Sequence, residues 1–206
     1  FTPLLGGIVE RGCLAGGTVK RLDSSAVWGA NDRTVKRGLC QVPQQVSTPY
    51  VNELLRKETD PENLTGDVFS MQGHEFYVLS GTNFTVVYDA STGLWHDKVS
   101  GQTNRWRGQC IVKFGEKWIC GDRSNGNLYE IDADTFSENG EDMVMAMRSP
   151  LVHSGPNRLQ YNRLYLDMVT GVSLNSTDVH NSEPKVMLRF SDDGGFEWSN
   201  ERAKTL

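Results

Sequence analysis

The sequence lacks an excess of basic residues. Its 206 residues include 21 Lys and Arg against 26 Asp and Glu, which gives a formal net charge of −5 at pH 7. A protein that grips nucleic acid through its phosphates needs a basic face, so this charge balance disfavours that class of protein. An acidic protein can still surround DNA without holding it.

The sequence also lacks long apolar runs. No stretch approaches the roughly 18 consecutive apolar residues of a membrane helix. Residues 1–22 carry neither the basic start nor the apolar centre of a signal peptide. Contact with a membrane is therefore not expected.

Cysteine is scarce and falls outside every metal-binding spacing. Cys13, Cys40, Cys110 and Cys120 form no CxxC or CxxH pair, so no zinc site is predicted. Cys110 and Cys120 lie on two strands that are expected to pair, which would permit a disulfide. Because their neighbours are apolar, we expect buried, reduced thiols instead.

Motifs for catalysis and cofactor binding are missing too. The glycine-rich run at 12–18 is not followed by the Gly-Lys-Ser/Thr of a phosphate-binding loop. The acidic turn at 132–136 lacks the glycine and one oxygen ligand of a calcium loop. Each of the four histidines is isolated from any candidate nucleophile. We predict no catalytic residue, no cofactor site and no metal site, and expect that the protein is not an enzyme.

What the sequence does contain is an internal repeat. An alternating apolar strand, a glycine turn, a second strand and an Asp-Ala-x-Thr ending run over residues 76–92, and again over 117–135. The aspartates of the two endings, Asp89 and Asp132, are 43 residues apart. A period of roughly 40–45 residues with four short strands per unit is typical of a β-propeller blade. A weaker copy lies at 26–36.

These repeats predict an all-β fold. Residues 1–147 are expected to form a partial β-propeller of about three recognisable blades. A full ring of six or seven blades would need about 240–300 residues, so we expect the chain to be part of a longer polypeptide. One short inserted helix is predicted near 48–57, from a hydroxyl N-cap at Thr48, a proline after it and basic residues in the last turn.

The last third of the chain changes character. Residues 148–206 are predicted to form either a closing blade or a small β-sandwich. Strands are indicated at 164–169 and 185–190, with a long polar loop at 175–184 between them. Just before this region, the alternating Met and Val/Ala at 143–147 predicts a strand with a soft apolar face.

Residues 191–198 fit the Ser-x-Asp-x-Gly-x-x-Trp pattern of an Asp-box, a turn found on sialidase-type propellers and other β-proteins. Its defining residues are Ser191, Asp193, Gly195 and Trp198. The Asp193 carboxylate can accept backbone N–H groups across a hairpin, and Gly195 can supply a positive φ. The motif predicts a structural turn, and it motivates a glycan-binding or glycan-cleaving propeller as the alternative function.

Two places leave the blade pattern, and contacts with partners are expected there. One is the predicted helix and the other is a basic-aromatic cluster at a strand start. The candidate interface residues are Tyr50, Leu54, Leu55, Arg56, Arg105, Trp106 and Arg107. The alternative is plain packing, with the leucines covering a blade edge and the tryptophan between blades with the arginines at the rim.

Short motifs follow one another in order along nearly the whole chain. They lie at 12–16, 23–28, 47–56, 74–75, 87–95, 119–128, 164–166 and 191–194. In this order the chain resembles the C-terminal half of the packaged-DNA stabilisation proteins of short-tailed bacteriophages. The N-terminal half of that family is absent from the sequence.

The resemblance implies a structural virion protein of the phage tail, assembled in the host cytoplasm. Such a tail-hub or head-completion protein forms a homo-oligomeric ring, hexameric in the best-known members. The ring lies below the portal and its adaptor ring, closes the exit channel on the packaged DNA and presents surfaces for the tail needle and tailspikes. Contact with DNA is implied only through channel closure, and no catalytic residues are implied.

Overall fold

The computed structural model describes residues 12–38, 43–135, 137–155, 157, 159–168 and 185–205. The chain divides into two compact units, Phe1–Asp134 and Thr135–Leu206. The sequence placed this boundary after residue 147. Strands dominate the regular structure of the described residues.

The first blade is an antiparallel sheet of four strands in sequential order. Side chains along its strands point alternately to the two faces of the sheet, and Leu22, Val27 and Val35 lie on one buried face. The side chains of the fourth strand are exposed, as suits the edge of a sheet. The strands are β1 (Lys20–Leu22), β2 (Ser25–Gly29), β3 (Val35–Gly38) and β4 (Gln44–Gln45).

The second blade has the same order and longer strands. Its first two strands are joined at Gln72 and Gly73, whose φ angles of 52° and 82° suit a two-residue hairpin turn. Every residue of its third strand is buried. The strands are β5 (Thr65–Met71), β6 (His74–Ser80), β7 (Thr85–Asp89) and β8 (Trp95–Asp97).

Among the described residues, the third blade has three strands, β9 (Gly108–Phe114), β10 (Lys117–Asp122) and β11 (Leu128–Ile131). Its first strand begins at Gly108, so the predicted strand start at 105–107 is a loop. The register against β10 shifts at Cys110, which takes a φ of 58° as the extra residue of a bulge. Its backbone N–H donates to Asp67 Oδ2 of β5 at 3.2 Å.

These three sheets confirm the predicted fold class, an all-β partial propeller with one short helix. The apolar core has two parts. In the first, Leu22, Val27 and Val35 of the first blade pack with Tyr77 and Leu79 of the second. In the second, strands of the second blade pack with strands of the third. The buried members of this second part are Phe69, Val78, Val87, Trp106 and Cys120.

The helix α1 (Pro49–Lys57) lies between the first two blades in sequence, as predicted. The Thr48 side chain accepts the Val51 N–H at its start, and Pro49 occupies the first turn, where a missing N–H is harmless. Val51 and Leu55, four residues apart, point the same way and are fully buried in the core of the first two blades.

The described part of the second unit contains two hairpins. They are β12 (Ser137–Glu138) with β13 (Glu141–Asp142), and β14 (Lys185–Leu188) with β15 (Arg202–Thr205). The strand predicted at 185–190 is therefore present in its first four residues. The choice between a closing blade and a β-sandwich for residues 148–206 stays a prediction.

Two predicted strands are wrong. Residues 143–147 and 164–168 form no strand, and all of them are exposed. Alternating apolar residues satisfy the pattern of a strand, but a strand also needs a neighbour to hydrogen-bond with. Residue 169 and the predicted loop at 175–184 lie outside the described residues.

The expectation for the cysteines is half right. Cys110 and Cys120 carry thiols rather than a disulfide, and Cys120 is buried, but Cys110 is exposed. The bulge is the reason, because it takes Cys110 out of the in-and-out alternation of β9. Cys40 lies outside the described residues.

Candidate interaction surfaces

One face of α1 is open to solvent. Tyr50 is 55 % exposed, and its hydroxyl donates to Asp97 Oδ1 of β8 at 3.0 Å. Arg56 is also exposed and lies 3.8 Å from Glu53. Leu54 is half-buried, whereas Leu55 is fully buried in the core. Of the four helix residues predicted at an interface, Leu55 is therefore unavailable to a partner.

The C-terminal end of α1 is tied to both neighbouring blades. Arg33, in the β2–β3 turn, donates from Nη1 to the carbonyls of Leu55 and Glu58 at 2.8 and 3.0 Å. A cation at this end suits the helix dipole and satisfies carbonyls that the helix leaves unpaired. The Glu58 carboxylate accepts the Thr82 N–H at 2.7 Å and the Thr82 hydroxyl at 2.9 Å, in the β6–β7 turn.

Glu58 keeps its charge although only 6 % of the residue is exposed. Burial raises the pKa of this carboxyl. Hydrogen bonds from the N–H and hydroxyl of Thr82 and from the N–H of Asp60 lower it by more than burial raises it, so the net shift of the pKa is downward. The nearby Arg105 guanidinium acts in the same direction. A charged, hydrogen-bonded carboxylate thus holds the β6–β7 turn against the helix.

The cluster at 105–107 is used mainly inside the chain. Arg105 Nη1 donates to the carbonyl of Gly81, in the turn that Glu58 also binds. Trp106 is 5 % exposed and packs among the side chains between the second and third blades, so it too is unavailable to a partner. The structure brings the end of α1 and Arg105 to one turn, which sequence spacing did not reveal.

Arg107 forms a partly buried ion pair. Its Nε lies 2.7 Å from Asp122 Oδ2, and the Asp122 side chain is fully buried. Burial raises the pKa of Asp122, but bonds from Ser124, Arg107 and Tyr129 outweigh it and hold that pKa well below its usual range. The Arg107 to Asp122 contact therefore fixes the loop that enters the third blade.

The sequence analysis missed a contact between a histidine and a carboxylate. His74 Nδ1 lies 2.8 Å from Asp89 Oδ2, the aspartate of the first repeat ending. Asp89 also accepts the Ser91 N–H and the Thr92 hydroxyl, each at 2.8 Å. The Asp-Ala-x-Thr ending is thus a hydrogen-bonded turn, and its recurrence in the repeat was the signal that could have revealed this role.

The Asp-box residues form a closed turn between β14 and β15. The Asp193 carboxylate accepts the N–H groups of Phe196 and Glu197 at 2.9 to 3.0 Å, and the Ser191 hydroxyl at 2.7 Å. Gly195 has a φ of 97°. Trp198 donates from Nε1 to the Gly195 carbonyl at 3.2 Å, and the Arg148 guanidinium lies over its ring.

The outward face of the third blade was not singled out by the sequence. Val112, Phe114 and Leu128 are 57 %, 79 % and 74 % exposed. The signal was present, because alternation in β9 and the β9–β10 register put Val112 and Phe114 on the face opposite Ile111. The third blade thus exposes large apolar side chains, whereas every residue of β7 in the second blade is buried.

Within the described ranges, no group of three or more His, Cys, Asp or Glu side chains could hold a metal ion. No helix there is long and apolar enough to cross a membrane.

A family model matches about two thirds of the chain. The family model described as bacteriophage P22 Gp10, beta-propeller, matches residues 1–136. The matched range includes all three blades and α1. No curated protein matches the chain.

Proposed function

Because the chain belongs to the phage stabilisation family of bacteriophage β-propeller proteins, we propose that it is a structural component of the virion, placed at the tail hub or head-completion ring. In this role it seals the portal channel, keeps the packaged DNA in the head and provides an attachment site for tail components. The family match over residues 1–136 carries the proposal. The protein acts by contact rather than by catalysis.

The partners in this proposal are other virion proteins. Copies of the chain assemble into a ring, hexameric by analogy, that meets the portal adaptor, the tail needle and the tailspikes. The exposed face of α1, with Tyr50 and Arg56, is our candidate for one of these contacts. Support comes from its position on a repeat scaffold, where insertions that leave the repeat pattern are common sites of partner binding.

The charge of the chain fits a conduit for DNA. With a net charge of −5, the protein has no general attraction for phosphates. A channel that holds DNA by closing, and later lets it slide, works better without tight phosphate contacts. Packaged DNA is therefore a partner only through closure of the channel.

The test is a phage in which the gene for this protein is interrupted. Heads should fill with DNA and then lose it, measured as nuclease-resistant genome copies per purified head. The intact gene supplied in trans should restore retention. Supplying the Arg56→Glu variant tests the helix surface, with Glu62→Gln as an exposed control. Normal retention in the interrupted phage would contradict the proposal.

A glycan-binding or glycan-cleaving propeller is the alternative function. Only the Asp-box favours it, and the polar groups of Asp193 and Ser191 are used inside the turn. A panel of immobilised glycans and chromogenic glycosides separates the two functions. Specific glycan capture, or hydrolysis by the purified chain, would favour the alternative.

A further inference from the structure

The connection from the second blade to the third is a loop with both ends bonded to Thr85. Residues 98–107, which we call the connector, join β8 to β9. At its start the Lys98 N–H donates to the Thr85 carbonyl at 3.0 Å. Near its end the Trp106 N–H donates to the Thr85 hydroxyl at 3.2 Å. Because Thr85 is buried in β7, the connector is held closed on the interior of the second blade.

The Lys98 ammonium adds a third contact to this loop. Its Nζ lies 4.2 Å from the centre of the Trp106 ring and 5.6 Å from the centre of the Phe69 ring. Both aromatic residues are buried. A cation over aromatic faces that are shielded from water is attracted by them. The Lys98 side chain therefore joins the start of the connector to its end.

His96 lies close to this ammonium. It precedes Lys98 by two residues, and alternation along an extended chain puts both side chains on one face. The His96 ring is 6.3 Å from the ring of Phe76, centre to centre, in an edge-on arrangement. Phe76 in turn stacks on Phe69 at 4.9 Å. His96 and Lys98 thus contact the two members of one aromatic pair, and a proton on His96 would place a second positive charge beside the first.

The other ionisable groups around His96 come from three strands. Asp97 follows it in β8, Asp89 ends β7, and His74 of β6 is bonded to Asp89. Partial burial lowers the pKa of His96 and the Lys98 ammonium lowers it again, whereas the carboxylates of Asp89 and Asp97 raise it. The net shift of the pKa is downward, so the closed structure favours the neutral ring.

We propose that the connector opens in acid, because protonation of His96 drives the Lys98 ammonium away from the rings of Phe69 and Trp106. The stability that neutral His96 gives the closed connector is fully present above the ordinary histidine pKa of about 6.5. It is lost as the pH falls below that value toward the lower pKa of the closed structure. These groups all belong to the first compact unit, and the effect does not depend on the place of the protein in a virion.

Hydrogen exchange at two amides measures the opening. Protection factors, which correct for the intrinsic pH dependence of exchange, should fall for the Lys98 and Trp106 amides between about pH 7.5 and about pH 5.5. The Val78 amide, in the centre of the second blade, should stay protected. His96→Gln should keep protection high at both pH values. Lys98→Met should make it low at both, because the cation is lost whatever the pH.

His74→Gln is the matched control, since His74 also stacks on Phe76 and can also be protonated. This variant should keep the response of the unchanged protein to pH. A response that disappears in His74→Gln and persists in His96→Gln would overturn the proposal, as would constant protection of the Lys98 and Trp106 amides in the unchanged protein. An equal fall at the Val78 amide would also overturn it, because the whole blade would then open rather than the connector.

Discussion

The Glu58 carboxylate holds a turn of the second blade although it lies outside the repeat pattern. It satisfies two groups of Thr82 from a nearly buried position. Glu58→Gln keeps the shape of the side chain but loses its charge and one of its two acceptor oxygens. We therefore expect the free energy of unfolding to fall by about 1–3 kcal/mol. Urea denaturation followed by tryptophan fluorescence measures the change.

The control for this variant is Glu62→Gln, four residues further along. Glu62 is exposed, so its substitution should leave the urea midpoint almost unchanged. Equal midpoints for Glu58→Gln and the unchanged protein would mean that the Glu58 to Thr82 contact contributes nothing to stability.

The ionisation of Asp122 makes the stability of the folded protein depend on pH. Its pKa is lower in the folded protein than the value of about 3.9 for an unfolded aspartate, so the folded state favours the charged form. That contribution is fully present above the unfolded pKa and is lost as the pH falls through the folded pKa. We expect the urea midpoint to drop below about pH 4.

The Asp122→Asn variant isolates this effect. It should be less stable than the unchanged protein at pH 6, and the difference between their urea midpoints should shrink as the pH falls below about 4. Asp134→Asn, at an exposed position, serves as the control. A difference that stays constant from pH 6 to pH 2.5 would show that Asp122 is not the titrating group.

At the scale of elements, α1 owes its place to apolar packing. Leu55 is fully buried, so Leu55→Ala should lower the free energy of unfolding by about 2–5 kcal/mol, through lost contacts and a cavity. Leu54→Ala, at a half-buried position, should lower it less. Thermal unfolding by circular dichroism ranks the two, and the reverse order would contradict the packing of the helix.

The Asp-box turn depends on one carboxylate. The Glu197 N–H, the Ser191 hydroxyl and the Phe196 N–H hold the pKa of Asp193 below its usual range. Asp193→Ala removes these bonds, so we expect the β14–β15 hairpin to loosen and the emission of Trp198 to change. Asp192→Ala, one residue earlier and exposed, is the control. An unchanged NMR spectrum of residues 188–202 in Asp193→Ala would show that the turn holds without it.

Local patterns predicted the elements well and their contacts poorly. Hairpin strands and α1 follow from alternation, turns and capping, which act over a few residues. The strands predicted at 143–147 and 164–168 fail because alternation says nothing about a neighbour to pair with. The link from Arg33 through Glu58 to Thr82 joins residues more than 20 positions apart, and no short motif encodes it.

For the candidate surfaces, the sequence indicated regions and could not separate buried from exposed members. Tyr50 and Leu55 belong to the same short helix, yet one is 55 % exposed and the other fully buried. The direction of each side chain depends on which blade the helix packs against. Trp106 is likewise buried, because it packs among side chains of the second and third blades.

At the scale of the whole molecule, the contacts of Arg33 and Glu58 at the end of α1 couple the opening of the first two blades. Repeat units that contact only their neighbours can exchange amide hydrogens blade by blade. Here Arg33 of the first blade and Thr82 of the second are both tied to the end of one helix, so neither blade can open without releasing it. Amides of β2 and β6 should therefore exchange through one shared opening, with equal protection, and Glu58→Gln should split them into two classes.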